Sequence, residues 1–249
     1  MKVLKGILAQ ISFFTIIPSV RNVTLEEIAD YAFLAPFIVG IITGVIDYFF
    51  LKITYFVLGT TAFLLLIPEV EIIRGFHHLD GLLDLGDALM VRDYEKRLKA
   101  LHDVQIGTGG IGLLLVYIIL FVVAILNFNL SIWPLISAEV VSRVPAILLL
   151  GIIKPMQESY LGKIFHERIG KKWIITLSMS FLFFPLSVFF LLLFLATLSV
   201  YSLIALKVLR GSSGDLAGAV ITLSFPIYLL ALEKSCSCYF ISLLLSTLH

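Results

Sequence analysis

The sequence predicts an all-α, polytopic integral membrane bundle, and three observations lead there. Of the 249 residues, 60% are hydrophobic and only 14% charged, where an ordinary soluble domain carries about 25% charged residues. The mean hydropathy is +1.07. The hydrophobic residues fall in runs of membrane length separated by a few polar segments, and ~20 apolar residues make one helical crossing. The net charge of +1 points to no nucleic-acid partner, and no basic tail is present. Cys236 and Cys238 form a lone C-x-C. Alone they build neither a disulfide framework nor a four-ligand zinc site, so they read as small apolar helix residues.

The chain opens with an apolar stretch, 3–20, interrupted by Lys5, Gln10 and Pro18. No small-residue cleavage site follows, so a cleavable signal is not expected. An interfacial or re-entrant helix lying against the bundle fits better. Thr24 and Glu27 form a capping box, from which a helix should run into the first span, about 31–51. A second span follows at about 53–73. Residues 74–108 are the first long polar segment, with a short amphipathic helix at 94–103 that ends at the helix-breaking Gly107–Gly110. Spans three and four lie at about 110–128 and 132–153. Residues 154–172 form a basic segment. The run 173–206 has no charge. As one helix it would be about 51 Å long, well beyond the ~30 Å hydrocarbon core, so it should be two spans broken at Pro185. Residues 210–215 are polar, and a last span covers about 216–232, with an apolar tail beyond Lys234.

That makes about seven transmembrane helices in a single domain, 1–249. Pairing them as hairpins puts 1–30, 74–108, 154–172 and 207–215 on one side. Every Lys and Arg except Lys52, Lys234 and the mid-span Arg143 then shares that face, which the positive-inside rule makes cytoplasmic. A cell-membrane, multi-pass location with a cytoplasmic active face is expected. The bilayer is the one certain partner, and a homo-oligomer is compatible with the sequence.

The strongest chemical signal is the stretch 75–90, where Asp80, Asp84 and Asp87 stand at i, i+4 and i+7 on one helical face. Such carboxylates repel one another unless a cation sits between them. They are the ligands that Mg²⁺ prefers, and Mg²⁺ usually works with substrate phosphates. Gly81 and Gly86 keep the helix surface low enough for a bulky ligand. The competing reading is a solvated acidic face, against which stands the apolar setting.

The same side of the membrane carries Asp103 with Gly107 and Gly110, the basic segment with Lys154, and Ser212-Ser213-Gly214-Asp215. Carboxylates for metal, cations for phosphate and glycines for close approach are what phosphoryl transfer needs. Ser213 and Gly214 open the last span, whose N-terminus can hold an anion, or Ser213 is simply its N-cap. Glu139 and Arg143 are an i, i+4 pair inside a span, either a structural ion pair or a substrate contact. His77 and His78 flank the acidic face. Asp47, Glu69 and Glu71 are further acids near span ends with no assigned role, and His102, His166 and His249 carry no usable signal.

Taken together, the motifs resemble the cobalamin 5′-phosphate synthases, also called adenosylcobinamide-GDP ribazoletransferases, nearly end to end. Phe13-Phe-Thr-Ile-Ile-Pro18 is similar to F-x-T-R-x-P. His78-Leu-Asp-Gly-Leu-Leu-Asp-Leu-Gly-Asp87 matches H-x-D-G-x-x-D-x-x-D. Asp103-Val-Gln-Ile-Gly107 matches D-x-x-x-G, Ser142-Arg143 matches a Ser-Arg in the fourth span, and Gly211 to Ala219 is similar to G-x-T-G-D-x-x-G-A. Ile16, Ala88, Arg210, Ser213 and Thr222 depart from the family pattern, where Arg, Gly, Gly, Thr and Glu are usual. No departure touches the three aspartates.

The resemblance implies a transferase that joins GDP-activated adenosylcobinamide to α-ribazole or its 5′-phosphate and releases GMP. Asp80, Asp84 and Asp87 would hold Mg²⁺ on the diphosphate. Asp84 and Asp87 would thereby be catalytic, and Asp103 and Asp215 would complete the shell or orient the attacking hydroxyl. His78, Arg143, Lys154, Gly107, Gly110, Ser213 and Gly214 would bind substrate. The alternatives are a CDP-alcohol phosphotransferase-like lipid enzyme, a divalent-cation transporter and a structural subunit. The first lacks its Ala-Arg after Asp80-Gly81, the second needs acids at mid-membrane, and the third leaves the one-sided clustering unexplained.

Overall fold

In the computed structural model, which describes residues 2–103 and 105–235, the chain is helical throughout. Among the described residues the only β-type pairing is an isolated parallel bridge between Pro155 and Ser212. In chain order the α-helices are α1 (Lys2–Phe14), α2 (Leu25–Ala29), α3 (Ala35–Leu58), α4 (Leu66–Ile73), α5 (His77–Met90), α6 (Tyr94–Leu101), α7 (Thr108–Leu126), α8 (Ile132–Ile152), α9 (Tyr160–Ile169), α10 (Trp173–Ser180), α11 (Val188–Leu203) and α12 (Gly214–Lys234). Five stretches are long and apolar enough to cross a membrane: Ala32–Ile73, Thr108–Leu126, Ile132–Ile152, Val188–Leu209 and Gly214–Lys234. The expected apolar tail, with Cys236 and Cys238, lies outside the described residues.

Several boundaries differ from expectation for local reasons. The capping box forms, with Thr24 Oγ1 accepting the Glu27 N–H at 3.3 Å and Glu27 Oε2 accepting the Thr24 N–H at 3.2 Å. Its helix nevertheless stops at Ala29 instead of running on into the first span. The chain turns through residues 30–34 and restarts at α3, where Pro36 sits in the first turn and no N–H is needed. The turn is bound by Lys172 Nζ, which donates to the Asp30 carbonyl at 2.8 Å.

The first hairpin reverses at Gly59 (φ +61), several residues later than the expected break. Its return arm is a 3-10 turn (Gly59–Leu65) plus α4, about 26 Å of rise at ~2.0 and ~1.5 Å per residue. The long uncharged run does break at Pro185, with Phe184 extended before it (φ −80, ψ 138). The first arm, however, is only α10 and a turn at Phe181–Phe183, about 18 Å, shorter than the ~30 Å core. One full crossing and a short arm stand where two crossings were expected, because the proline falls so soon after Trp173. The α1 helix, about 20 Å long, is also too short to cross. It packs on α2 and α3, with buried Gln10 donating to the carbonyls of Gly6 and Ile28.

At the centre, α8 is buried on nearly all sides and α12 almost as completely, while α7 and α11 turn most of their apolar surface outward. The α3–α8 contact is made close by Gly40 and Gly44, one turn apart. A Cβ on Gly44 would lie 2.6 Å from Ile136 Cα, and one on Gly40 2.8 Å from Val140 Cα. This is the small-xxx-small packing by which helices approach in lipid. The polar segments expected on one side do touch one another. Ser212 N–H donates to the Lys154 carbonyl at 3.0 Å, Arg97 Nη1 to the Val208 carbonyl at 2.8 Å, and Arg168 pairs with Asp30 at 3.4 Å.

Candidate active site

The site is built on α5, and the chain enters α5 through two consecutive left-handed residues, Gly75 (φ +65) and Phe76 (φ +60). For Phe76 that conformation costs about 1–2 kcal/mol. The tight turn sets His77 and His78 at the base of α5, directly after α4. Two neighbours then clamp the helix. A Cβ on Gly81 would come 2.9 Å from Asp215 Cα on α12, and one on Gly86 would come 2.8 Å from Gly110 Cα on α7. The low surface at Gly81 and Gly86 is therefore filled by neighbouring helices, not kept open for a ligand as the sequence reading expected.

The three aspartates share a face as the spacing predicts, but their surroundings separate them. Asp80 is exposed, and Asp84 and Asp87 are half-buried. Asp87 turns onto the start of α7: Oδ2 accepts the Gly107 N–H at 2.7 Å and Oδ1 the Gly110 N–H at 2.9 Å. Gly107 and Gly110, expected to approach a substrate, thus present their N–H groups to Asp87. Asp84 carries the strongest electrostatic load. Burial, and then the charges of Asp80, Asp215 and Asp87, push its carboxyl up to about 7. Asp215 reaches this group because Ser213 caps α12, its Oγ accepting the Leu216 N–H at 3.1 Å. The N-cap reading of Ser213 is the one the fold realises, with Gly214 the first helical residue.

Asp103 stands apart. It is exposed, its Oδ1 accepts the Gln105 N–H at 3.1 Å, and it is not among the charges acting on Asp84. Lys154 is exposed, and its carbonyl, rather than its ammonium, makes the contact to Ser212.

Arg143 resolves into an ion pair with Glu139, to which its Nη1 donates. Glu139 also accepts from Arg74 Nη2 at 2.6 Å and from Thr43 Oγ1 at 2.7 Å. Arg74 lies 3.7 Å from Glu71, which accepts from Tyr117 at 2.6 Å. This chain of charges links α3, α4, α7 and α8 in the interior, and sequence reading had placed Arg74 in a loop. Asp47 and Glu69, both buried, lie within hydrogen-bonding reach of each other, and no other group hydrogen-bonds their carboxyl oxygens. Arg143 keeps Nε and Nη2 free of partners as well.

Beside the acidic face lies a cavity of about 480 Å³, walled by α1, α8 and α9, by the starts of α3 and α5 and by the first two turns of α12. Phe13, Phe14 and Phe165 give it aromatic walls. Ser12, His77, His78, Arg143 and Asp215 are its polar lining. His78 is held well below its ordinary pKa, first by burial and then by the nearby Arg74 and Arg143, so it is neutral there.

Comparison with known proteins places this arrangement. The sequence profile described as cobalamin-5-phosphate synthase matches residues 6–233. The chain belongs to the cobalamin-5-phosphate synthase family. It is 51% identical to the adenosylcobinamide-GDP ribazoletransferase of Sulfolobus acidocaldarius over 96% of each chain. It is 47% identical to the protein of that name from Saccharolobus islandicus strain L.S.2.15, over 92% of this chain and 91% of the relative. The identity is 32% with that of Pyrobaculum islandicum, over 95% of this chain and 97% of the relative. No solved structure matches the chain. As a member of the synthase family it is an enzyme, a transferase of cobalamin biosynthesis, built on membrane-type helices. Of the segments that resemble the synthases, four supply residues to one cavity, Phe13, Phe14, His78, Arg143 and Asp215, and Asp215 bears in turn on Asp84, whereas Asp103 stands apart.

Proposed function

We propose that the chain joins GDP-activated adenosylcobinamide to α-ribazole, or to its 5′-phosphate, and releases GMP. The observation that carries this reading is Asp215, which lines the cavity and, with Asp80 and Asp87, bears electrostatically on Asp84. Like charges so placed favour a cation, and hard carboxylate oxygens suit Mg²⁺. Among the described residues no three His, Cys, Asp or Glu side chains stand close enough to enclose a metal ion by themselves. That fits Mg²⁺, which ordinarily takes one or two carboxylates and completes its shell with water and substrate phosphate. Asp80 and Asp84 would be its protein ligands, with Asp87 steadying the helix that presents them. Bound there, Mg²⁺ would offset the charge of the diphosphate.

The residues divide the remaining work. Asp215 orients a ribose hydroxyl of the acceptor and takes its proton as the oxygen attacks the cobinamide-linked phosphorus. The new P–O bond forms as the bond from that phosphorus to the bridging oxygen breaks, and GMP leaves with the bridging oxygen. The free N–H groups of Arg143 face phosphate or sugar oxygens. Neutral His78 accepts or donates a hydrogen bond without adding charge. The polar face that carries the site is cytoplasmic in this reading, which the distribution of Lys and Arg favours.

The test is direct. Detergent-purified protein is given adenosylcobinamide-GDP and α-ribazole, and GMP and the joined corrinoid are followed with and without Mg²⁺. Mg²⁺-dependent product that disappears in Asp84→Asn supports the reading. A folded, monodisperse sample that releases no GMP refutes the reaction, and full activity in Asp84→Asn refutes the site.

A further inference from the structure

The two substrates of such a reaction differ greatly in size, and the cavity discriminates between them. A pocket that encloses a small ligand has a volume of ~300–1,000 Å³, and this one has about 480 Å³. A corrin macrocycle with its amide side chains is far too bulky to be enclosed there. An aromatic nucleoside is not. We propose that the cavity is the acceptor subsite, taking the flat aromatic base of the acceptor against the aromatic wall formed by Phe13, Phe14 and Phe165 and directing its sugar toward Asp215, while the macrocycle of the donor stays outside. This assignment rests on the reaction proposed above.

Three features carry it. The first is the lining. Phe13 and Phe165 are stacked with ring centroids 5.9 Å apart, and Phe14 is stacked on His78 at 6.1 Å. Stacked rings at the wall of an enclosed site favour a planar aromatic ligand over a flexible chain. The second is the polar lining. Arg143 is 3% exposed and His78 6% exposed, yet Arg143 Nε and Nη2 and His78 Nδ1 have no partner within the protein. Buried polar atoms are nearly always paired, and all three belong to residues that line this cavity. A sugar bearing hydroxyls or a phosphate supplies the missing partners, and a hydrocarbon does not. The third is continuity with the chemistry. Asp215 is both a wall of the cavity and a neighbour of Asp84, so a sugar seated here presents its hydroxyl where attack takes place.

The experiment uses the full-length protein in detergent. Equilibrium binding of radiolabelled α-ribazole is measured without donor, and KM is measured for each substrate. Wild type is compared with two cavity-filling variants, Ala217→Leu on α12 and Leu161→Trp at the rim. Leu161 is already partly exposed, so its variant keeps the test alive if Ala217→Leu is unstable. The expected result is that Kd and KM for α-ribazole rise at least tenfold, KM for the GDP-linked donor stays within twofold, and saturating α-ribazole restores turnover. Unchanged α-ribazole affinity in both variants overturns the subsite. So does a rise confined to the donor, which would make the cavity part of the donor site, or release of a co-purified lipid by the variants, which would make it a lipid-tail site. Wild-type GMP release with unaltered acceptor affinity in the variants refutes the subsite alone. Absence of GMP release refutes the reaction, and α-ribazole binding to wild type then decides the subsite by itself.

Discussion

Asp87 accepts the Gly107 N–H at 2.7 Å across 20 residues of chain, and with its other oxygen it reaches Gly110 at 2.9 Å. One carboxylate thereby caps the start of α7 and ties it to α5. It satisfies N–H groups that a helix start leaves without partners and sits favourably at the positive end of the helix dipole. Asp87→Ala should therefore destabilise the protein by about 2–3 kcal/mol, the range for hydrogen bonds to a charged acceptor. Asp87→Asn should lose less, since its remaining oxygen can accept one of the two N–H groups. Thermal unfolding in detergent checks the order wild type, Asn, Ala. Equal midpoints for all three would show that the clamp contributes nothing.

Asp84 should behave in the opposite way. Its carboxyl is pushed up to about 7 by burial and by Asp80, Asp215 and Asp87. Its negative charge thus opposes the folded state in the absence of a cation. Asp84→Asn removes that charge with little change of shape. The unfolding midpoint without divalent cation should hold or rise, while GMP release falls at least ~100-fold, the scale on which loss of one electrostatic stabiliser acts. A variant that loses stability and activity together would make Asp84 a structural residue.

Gly44 and Gly112 offer a matched pair in the apolar spans. A Cβ on Gly44 would stand 2.6 Å from Ile136 Cα, whereas one on Gly112 would meet nothing within 4 Å. Gly44→Ala should force α3 away from α8 and destabilise by about 1–3 kcal/mol, as overpacking does. Gly112→Ala should stabilise by up to ~1 kcal/mol through helix propensity alone. The yield of monodisperse protein and the thermal midpoint measure both.

These residues also show which parts of the molecule the sequence makes legible. The acidic face was readable because three carboxylates at helical spacing in an apolar chain are costly without a function. The capping box and the Pro185 break were readable because each is a local rule that neighbouring residues suffice to impose. The role of Asp87 was not, because its partners lie 20 and 23 residues away and only the fold brings them together. Arg74 was hidden for another reason. It follows an apolar run and precedes a polar segment, so hydropathy places it at the surface, although it is 1% exposed. Its burial depends on Glu139, 65 residues later. The glycines show the same limit in reverse. Gly81 and Gly86 were read as room for a ligand, and Gly40-x-x-x-Gly44 went unremarked, since composition cannot say which neighbour fills a groove.

The Glu139 network gives the last prediction, because it couples stability to the site. Glu139 is fully buried and accepts from Arg74, Arg143 and Thr43. Glu139→Gln leaves Arg143 in the interior without its carboxylate and Arg74 with only Glu71 at 3.7 Å. Breaking a buried pair from one side costs about 3–5 kcal/mol. Thr43→Val removes one hydrogen bond to the Glu139 carboxylate and leaves both ion pairs, so it should cost about 1.5–3 kcal/mol. The double variant Glu139→Gln with Arg143→Gln should recover part of the loss, since the stranded Arg143 charge goes with it. Thermal midpoints of wild type, Glu139→Gln, Arg143→Gln and the double variant close the cycle. Positive coupling between positions 139 and 143 means that Glu139 holds Arg143 in place at the cavity wall. In that case Thr43→Val, which leaves both charges intact, should raise KM for the acceptor no more than about twofold, whereas the double variant should raise it well beyond that. Purely additive effects, with acceptor KM unchanged in the double variant, would mean that the pair serves packing of the bundle and not the site.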